Sequence, residues 1–413
     1  MTGTEAMGRL LGDLLEYAHM TAVEELPALL ESHAAAAGLG RARLFVADLR
    51  EQGLRELTGR GPDAGEGGER FSVEGSLPGR AFRETRVLAG HGGGAGHRRQ
   101  WVPVLDGTER LGVLRVDVPD GSPDADALAE RLASLTGLLL VSKRPFSDSY
   151  ARLVRTRPMG VAAEMQWKLM PPTAFANDRA VVAARMEPAY EVAGDAYDYA
   201  VAHDTLHLAV FDAMGHDSAA GLTANLAVAA CRAQRRQDTD LVTVSQRIEE
   251  ILIEQFGHSR YVTGVLADLD TRTGTLTWVN RGHHPPVLIR GGRWTTTLRS
   301  PPAHPMGTDL GLRVTLCREQ LEPGDRLLFY TDGITEARDR DGRPFGLARF
   351  TDFVVRRHAD ARPVPEMLRR LMQAVLDHHS GRLDDDATVL FLEWKGNARN
   401  PALRPADGAP AGG

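Results

Sequence analysis

Carboxylates recur at the ends of apolar runs in the second half of this 413-residue chain. Asp195 follows Gly194 in AGDAYDYA, Asp212 ends the run 206–211, Asp332-Gly333 ends the run 327–330, and Asp384, Asp385 and Asp386 precede the run 387–392. One aspartate before a glycine is ordinarily a turn residue. Four such places are a different matter, because neighbouring strands of one sandwich would bring their end residues to a common rim. Crowded carboxylates repel and resist ionisation until a cation neutralises them. All-oxygen donors suit a hard divalent ion, Mg²⁺ or Mn²⁺, and no Cys or His stands at ligand spacing as an alternative. Two such ions about 4 Å apart bring a shared water's pKa near neutrality and align it with a phosphorus atom. That is phosphoester hydrolysis without a covalent enzyme intermediate. No G-x-S-x-G elbow or Ser-His-Asp order stands out for a serine nucleophile, and the Thr and Lys motif of aspartyl-phosphate chemistry is not found.

The elements that must carry these acids are strands that begin or end at them, with an Ala-rich helix after Asp212. Hydrophobic residues at 42% and charged residues at 25% are the proportions of a soluble globular chain, and the length suggests two or three folded units. Lys+Arg 49 against Asp+Glu 55 leaves a net charge of −6, which argues against a nucleic-acid or anionic-lipid surface. The two cysteines, Cys231 and Cys317, imply neither a disulfide framework nor a zinc site. Without a signal sequence or an apolar membrane span, a cytoplasmic protein is expected, with no membrane or nucleic-acid partner.

Gly/Pro/Asp-rich breaks at 61–69, 90–97 and 119–125 cut the first third into short elements. Leu10, Leu11, Leu14 and Leu15 mark a helix, Pro27 opens a second, residues 41–49 read as a strand, residues 100–118 as two strands around Asp106-Gly107, and residues 127–141 as a closing helix. This order resembles a GAF domain, a sensor module of bacterial signalling proteins, and the resemblance implies a sheet that binds a small-molecule ligand or serves as a dimerisation unit. No cysteine occurs in residues 1–172, which excludes a thiol-linked chromophore there. Val161, Met165 and Leu169 then fall at i, i+4, i+8 before Pro171-Pro172. They form either an amphipathic connector or a linker helix that pairs with its twin in a homodimer. The division is thus 1–143 (GAF-like sensor or dimerisation domain), 144–172 (linker helix region), 173–395 (the domain with the acids) and 396–413 (a Gly/Pro/Ala-rich tail expected to be disordered).

The segments AEMQWKLMP (163–171), GDAYD (194–198), FDAMGHDSAA (211–220), NRGHHPP (280–286), PMG (305–307), YTDGITEARD (330–339), FG (345–346) and DDAT (385–388) stand in order over residues 160–394. They resemble the motifs of the PPM-type (protein phosphatase 2C-like) serine/threonine phosphatases, in their SpoIIE/RsbU-like bacterial branch. The resemblance implies an α+β fold, an α-β-β-α sandwich with a Mn²⁺ or Mg²⁺ pair at one end. It also implies an enzyme that removes phosphate from a phosphorylated protein, an anti-sigma-factor antagonist in relatives that serve stress or developmental signalling. Carried over by motif, Asp212 bridges both metals, the Ala213 carbonyl ligates one, Asp332 and Asp385 bind from the other side and Asp195 completes the site. Asp212, Asp332 and Asp385 are then the catalytic set, acting through metal-activated water.

Four positions depart from the usual motifs: Ala193, Ala213, Asp217 and Arg281. Ala213 still offers its carbonyl if its backbone needs no positive φ. Asp217 adds negative charge near the metals, and Arg281 either offsets it, holds the substrate phosphate or forms a surface salt bridge. His283-His284 is read as structural, His378-His379 as a solvated pair, and the helix of 241–256 as core packing with its acids facing away. The alternative to an enzyme is a catalytically weak phosphatase-like scaffold that acts as a ligand-responsive binding module. A two-metal nuclease would use the same carboxylates but calls for a basic groove.

Overall fold

The structure is a computed structural model that describes residues 12–187, 190, 194–215, 217–358, 363–379, 383 and 385–396. Leu10, Leu11, Ala193, Asp384 and the tail from 397 lie outside these residues. The chain divides into two units after Pro158.

In the first unit, residues 12–18 are helical and α1 (Leu26–Ala36) leads into β1 (Ala42–Ala47). β2 (Gly53–Leu57), β3 (Arg70–Ser72), α2 (Leu77–Glu84), β4 (Leu88–Gly90), β5 (His97–Asp106), β6 (Glu109–Pro119) and α3 (Pro123–Lys143) follow, then α4 (Asp148–Val154). The strands form one sheet in the order β3-β2-β1-β6-β5-β4, every neighbour antiparallel. Strand alternation loads both faces: Leu44 and Val46 join a core with α1 and α3, while Phe45 and Ala47 join an aromatic layer with Phe82 and Trp101 under α2. The expected strands and helices are present. Residues 53–90, for which the sequence reading names no element, supply three further strands and a helix whose short runs carry little periodicity.

In the second unit, α5 (Val161–Leu169) precedes β7 (Ala174–Ala176), β8 (Ala180–Glu187), β9 (Asp195–Ala202) and β10 (Thr205–Ala213). Helices α6 (Ser218–Arg235) and α7 (Leu241–Phe256) lead to β11 (Val262–Asp270), β12 (Thr275–Arg281), β13 (Val287–Arg290), β14 (Trp294–Thr297), β15 (Cys317–Gln320) and β16 (Arg326–Tyr330). The short α8 (Asp332–Thr335), then α9 (Leu347–His358), α10 (Val364–His378) and β17 (Ala387–Trp394) complete it. Two antiparallel sheets result, β15-β12-β11-β10-β9 and β14-β13-β16-β17-β8-β7. The central strands of the second feed two layers: Leu390 and Leu392 of β17 enter the core shared with the first sheet, α6 and α7, while Val389 and Phe391 pack under α9 and α10. Full burial of each such side chain is worth about 1.5–3 kcal/mol. The unit is an α+β sandwich of four layers.

Within residues 144–172 the helix expected before Pro171-Pro172 is present as α5. These residues hold α4 in the first unit and α5 in the second. The stripe read from the sequence on α5 splits: Val161 is 81% and Met165 50% exposed, whereas Leu169 packs against the core, with Ala163 and Gln166 as the buried residues. A buried glutamine outweighs the apolar spacing because its amide has a backbone partner beneath it.

Candidate metal centre

The acids assemble from both sheets. Asp195, the first residue of β9, lies opposite Asp212 near the end of β10, and opposite residues of an antiparallel pair share a face. From the second sheet, Thr331 follows β16, and its hydroxyl donates to Asp195 Oδ2 at 2.6 Å and accepts from the Thr388 amide at 2.9 Å. Asp332 is the next residue. Before β17, Asp386 turns inward, 5% exposed, and accepts from the Gly194 amide, while Asp385 is exposed and accepts from the Asp386 amide at 2.8 Å. A Cβ on Gly194 would stand 2.6 Å from the carbonyl oxygens of both Ala213 and Gly215. Glycine is therefore required for that close approach. Ala213 ends β10 without a positive φ.

Electrostatics records the crowding. Burial first, then the carboxylates of Asp212 and Asp386, push Asp195 well above the ordinary range. Burial followed by repulsion from Asp332 and Asp385 pushes Asp212 up to about 7. Asp386 also rises to about 7, through burial and the charges of Asp385 and Asp212, against the pull of the Gly194 amide. Asp332 goes the other way, because His284 lies 3.9 Å from its carboxylate and raises its own basicity in exchange. His283 is buried and held down to about 4. Among the described residues, no three His, Cys, Asp or Glu side chains are grouped tightly enough to hold one ion. The donor set nevertheless fits a hard divalent cation: it is all oxygen, and Mg²⁺-type ions take one or two protein carboxylates and fill the remaining positions with water and phosphate oxygens.

Gln166 and Thr331 escape sequence reading as parts of the site, and Asp386, read as one of three acids before β17, is not among the expected ligands. The Gln166 amide donates to the Asp195 carbonyl. Glutamine in a helix carries no signal for this, whereas Asp386 is flagged by its place directly before an inward-facing strand residue.

Two of the departures, and two other readings, resolve differently from expectation. Arg281 is fully buried, neither at the surface nor beside Asp217, and it pairs with Glu249 of α7 and donates to the His304 carbonyl at 3.0 Å. Glu249 is accordingly an acid turned inward on a helix read as acidic only on its outer face. Asp217 caps α6 by accepting from the Ala220 amide at 2.8 Å, and its charge is answered by Arg260 at 3.1 Å. His378 and His379 are not merely solvated: His378 contacts Arg349 and the Arg343 carbonyl, and His379 accepts from the Arg338 amide at 3.0 Å. They brace the loop after Asp332.

Residues 202–395 match the family described as Stage II sporulation protein E (SpoIIE). The chain is 26% identical over 144 residues to Protein IcfG of Synechocystis sp., covering 34% of this chain and 22% of that one. It is 20% identical over 235 residues to phosphoserine phosphatase RsbU of Bacillus subtilis, covering 57% of this chain and 69% of RsbU. The solved RsbU and RsbW domains of Rv1364c from Mycobacterium tuberculosis are 25% identical with a TM-score of 0.48, over 55% of this chain and 63% of that one. The chain thus spans about a fifth of IcfG and about two thirds of RsbU.

Proposed function

We propose that this chain, whose residues 202–395 are a PPM-type protein serine/threonine phosphatase domain, is a cytoplasmic Mn²⁺- or Mg²⁺-dependent hydrolase of phosphoserine or phosphothreonine on an anti-sigma-factor antagonist protein. One observation carries the reading: carboxylates from both sheets converge where burial and mutual repulsion leave Asp195, Asp212 and Asp386 unwilling to ionise alone. A cation pair is what such a site lacks electrostatically. Asp195, Asp212, the Ala213 carbonyl, Asp332 and Asp385 would hold two ions. Those ions supply a water of lowered pKa and a counter-charge for the substrate phosphate.

The chain's own residues do the rest. Thr331 and the Gly194 amide fix the rotamers of Asp195 and Asp386. His284 stands beside Asp332 at the half-open rim, and that carboxylate raises the basicity of its ring.

Regulation by the first unit, read as a GAF-type ligand-responsive module, is supported by how α5 is tied to the site. Gln166 holds the Asp195 carbonyl, Met170 Sδ accepts from the Tyr197 amide, and Arg232 donates to the Leu169 carbonyl at 2.6 Å. A displacement of α5 therefore pulls on the strand that carries Asp195. The exposed Val161 and Met165 offer a seam for a homodimer. Among the described residues no helix is long and apolar enough to cross a membrane.

The test is Mn²⁺-dependent turnover of an aryl phosphate and of a phosphorylated antagonist protein. Activity lost in Asp212→Asn and Asp332→Asn, with folding retained by circular dichroism, supports the enzyme. No turnover at saturating Mn²⁺ on either substrate returns the scaffold reading.

A further inference from the structure

His283 sits in the turn after β12, and its two ring nitrogens reach opposite sheets. Nε2 lies 3.1 Å from the carbonyl oxygen of Tyr330, the last residue of β16 and two before Asp332. Nδ1 lies 2.8 Å from the hydroxyl of Thr263, which stands directly opposite Asp212 in the β10–β11 ladder. The same hydroxyl oxygen is 3.4 Å from the Asp212 carbonyl.

The partners dictate the tautomer. A backbone carbonyl only accepts, so Nε2 carries the ring proton, and Nδ1 of the neutral ring accepts the Thr263 hydroxyl proton. Both contacts are then satisfied by one protonation state.

The ring is also held in place. Its residue is 8% exposed, its amide donates to Asn280 Oδ1 at 2.8 Å, and Asn280 Nδ2 donates back to its carbonyl at 2.9 Å. On the other flank, Arg281 is anchored to Glu249 and the His304 carbonyl. Between them Gly282 adopts φ +70° with Pro305 against it, a conformation and a clearance that suit glycine.

We propose that His283 is a positioning residue: a planar strut of fixed tautomer that sets the distance between the strand ends bearing Asp212 and Asp332, and so the separation of two divalent cations. It lends no ligand atom and touches no substrate. The inference rests on the phosphatase reading above. Its physical basis is that Mg²⁺-type ions demand near-ideal geometry, that residues behind the ligands commonly govern affinity, and that no aliphatic replacement can pair with both a carbonyl and a hydroxyl.

The test is Mn²⁺ binding to the full-length protein, followed by electron paramagnetic resonance of free Mn²⁺ and by calorimetry. Wild type is expected to take up two ions. His283→Ala and His283→Asn, neither of which spans both partners, should weaken the weaker ion by about tenfold or more. His283→Gln, whose amide offers an N–H for Tyr330 and an oxygen for Thr263, should retain most of the affinity. In the Ala and Asn variants, turnover should recover at high Mn²⁺, because the ring takes no part in the reaction. Asn carries the test if the Ala variant does not fold. Binding isotherms that match wild type, a Gln variant as weak as Asn, or turnover that stays lost at saturating Mn²⁺ overturns the strut. A wild-type protein that binds no Mn²⁺ overturns the phosphatase reading itself and the strut with it.

Discussion

Removing one charge from the acid cluster should make the metal-free protein more stable, and the effect should depend on pH in a fixed direction. Asp212 titrates near 3.8 in an unfolded chain and at about 7 in the fold, so above pH 7 its ionised form costs the folded state about 4 kcal/mol. A raised carboxyl pKa leaves stability intact below the unfolded value and erodes it as pH climbs through the folded one. The penalty is therefore absent near pH 4 and complete above about pH 7. Neighbouring carboxyls share protons, so Asp212→Asn recovers only part of it, about 2 kcal/mol. For a unit of this size that corresponds to roughly 4–8 °C in the thermal midpoint. The assay is differential scanning fluorimetry in EDTA from pH 4.5 to 8, repeated with Mn²⁺. Asp212→Asn should exceed wild type in EDTA at pH 8, match it at pH 4.5, and gain little from Mn²⁺, whereas wild type should gain more from Mn²⁺ at pH 8 than at pH 5. A variant no more stable than wild type at pH 8, or an advantage that is flat with pH, would refute the account of a repulsive cluster awaiting cations.

Gln166→Leu leaves the Asp195 carbonyl without its amide donor, which should destabilise the fold by about 1–3 kcal/mol; steady-state assays at saturating Mn²⁺ should show a lower kcat. Arg281→Met leaves the buried Glu249 carboxylate with only the His304 ring and the Asp309 amide and should destabilise the fold in urea denaturation by up to roughly 3–5 kcal/mol, part of which Arg281→Met/Glu249→Leu restores. Asp217→Ala should lower the thermal midpoint through loss of the α6 cap, and Asp217→Ser should return it.

Much of the sandwich was legible because its strands are apolar runs bounded by turn residues, and the acids at their ends mark the rim. Sequence alone misled where polar residues pair across distance. Arg281 and Glu249, 32 positions apart, each look like surface charges and become one buried pair only when α7 closes over β12. On α5 the connector reading fails for the opposite reason: Val161 and Met165 have core chemistry at helical spacing, yet they stay exposed while Gln166 and Ala163 face inward. In the first unit, β2 to β4 are too short and too mixed in character to announce themselves. At the candidate site, Asp212 and Asp332 could be selected by their place after apolar runs, and Asp195 by its place after Gly194 at the start of a strand. The division of labour between Asp385 and Asp386 depends on which way one peptide turns.

Gly333 is the second residue of α8, and a methyl group there would overlap the Asp386 carbonyl oxygen and the peptide that follows it. The loops bearing Asp332 and Asp386 therefore touch main chain to main chain, with no side chain between them to act as a cushion. Neither loop can be lengthened, shortened or swapped alone without dragging the other along. Attempts to graft new specificity onto this scaffold should transplant the pair together or leave both untouched.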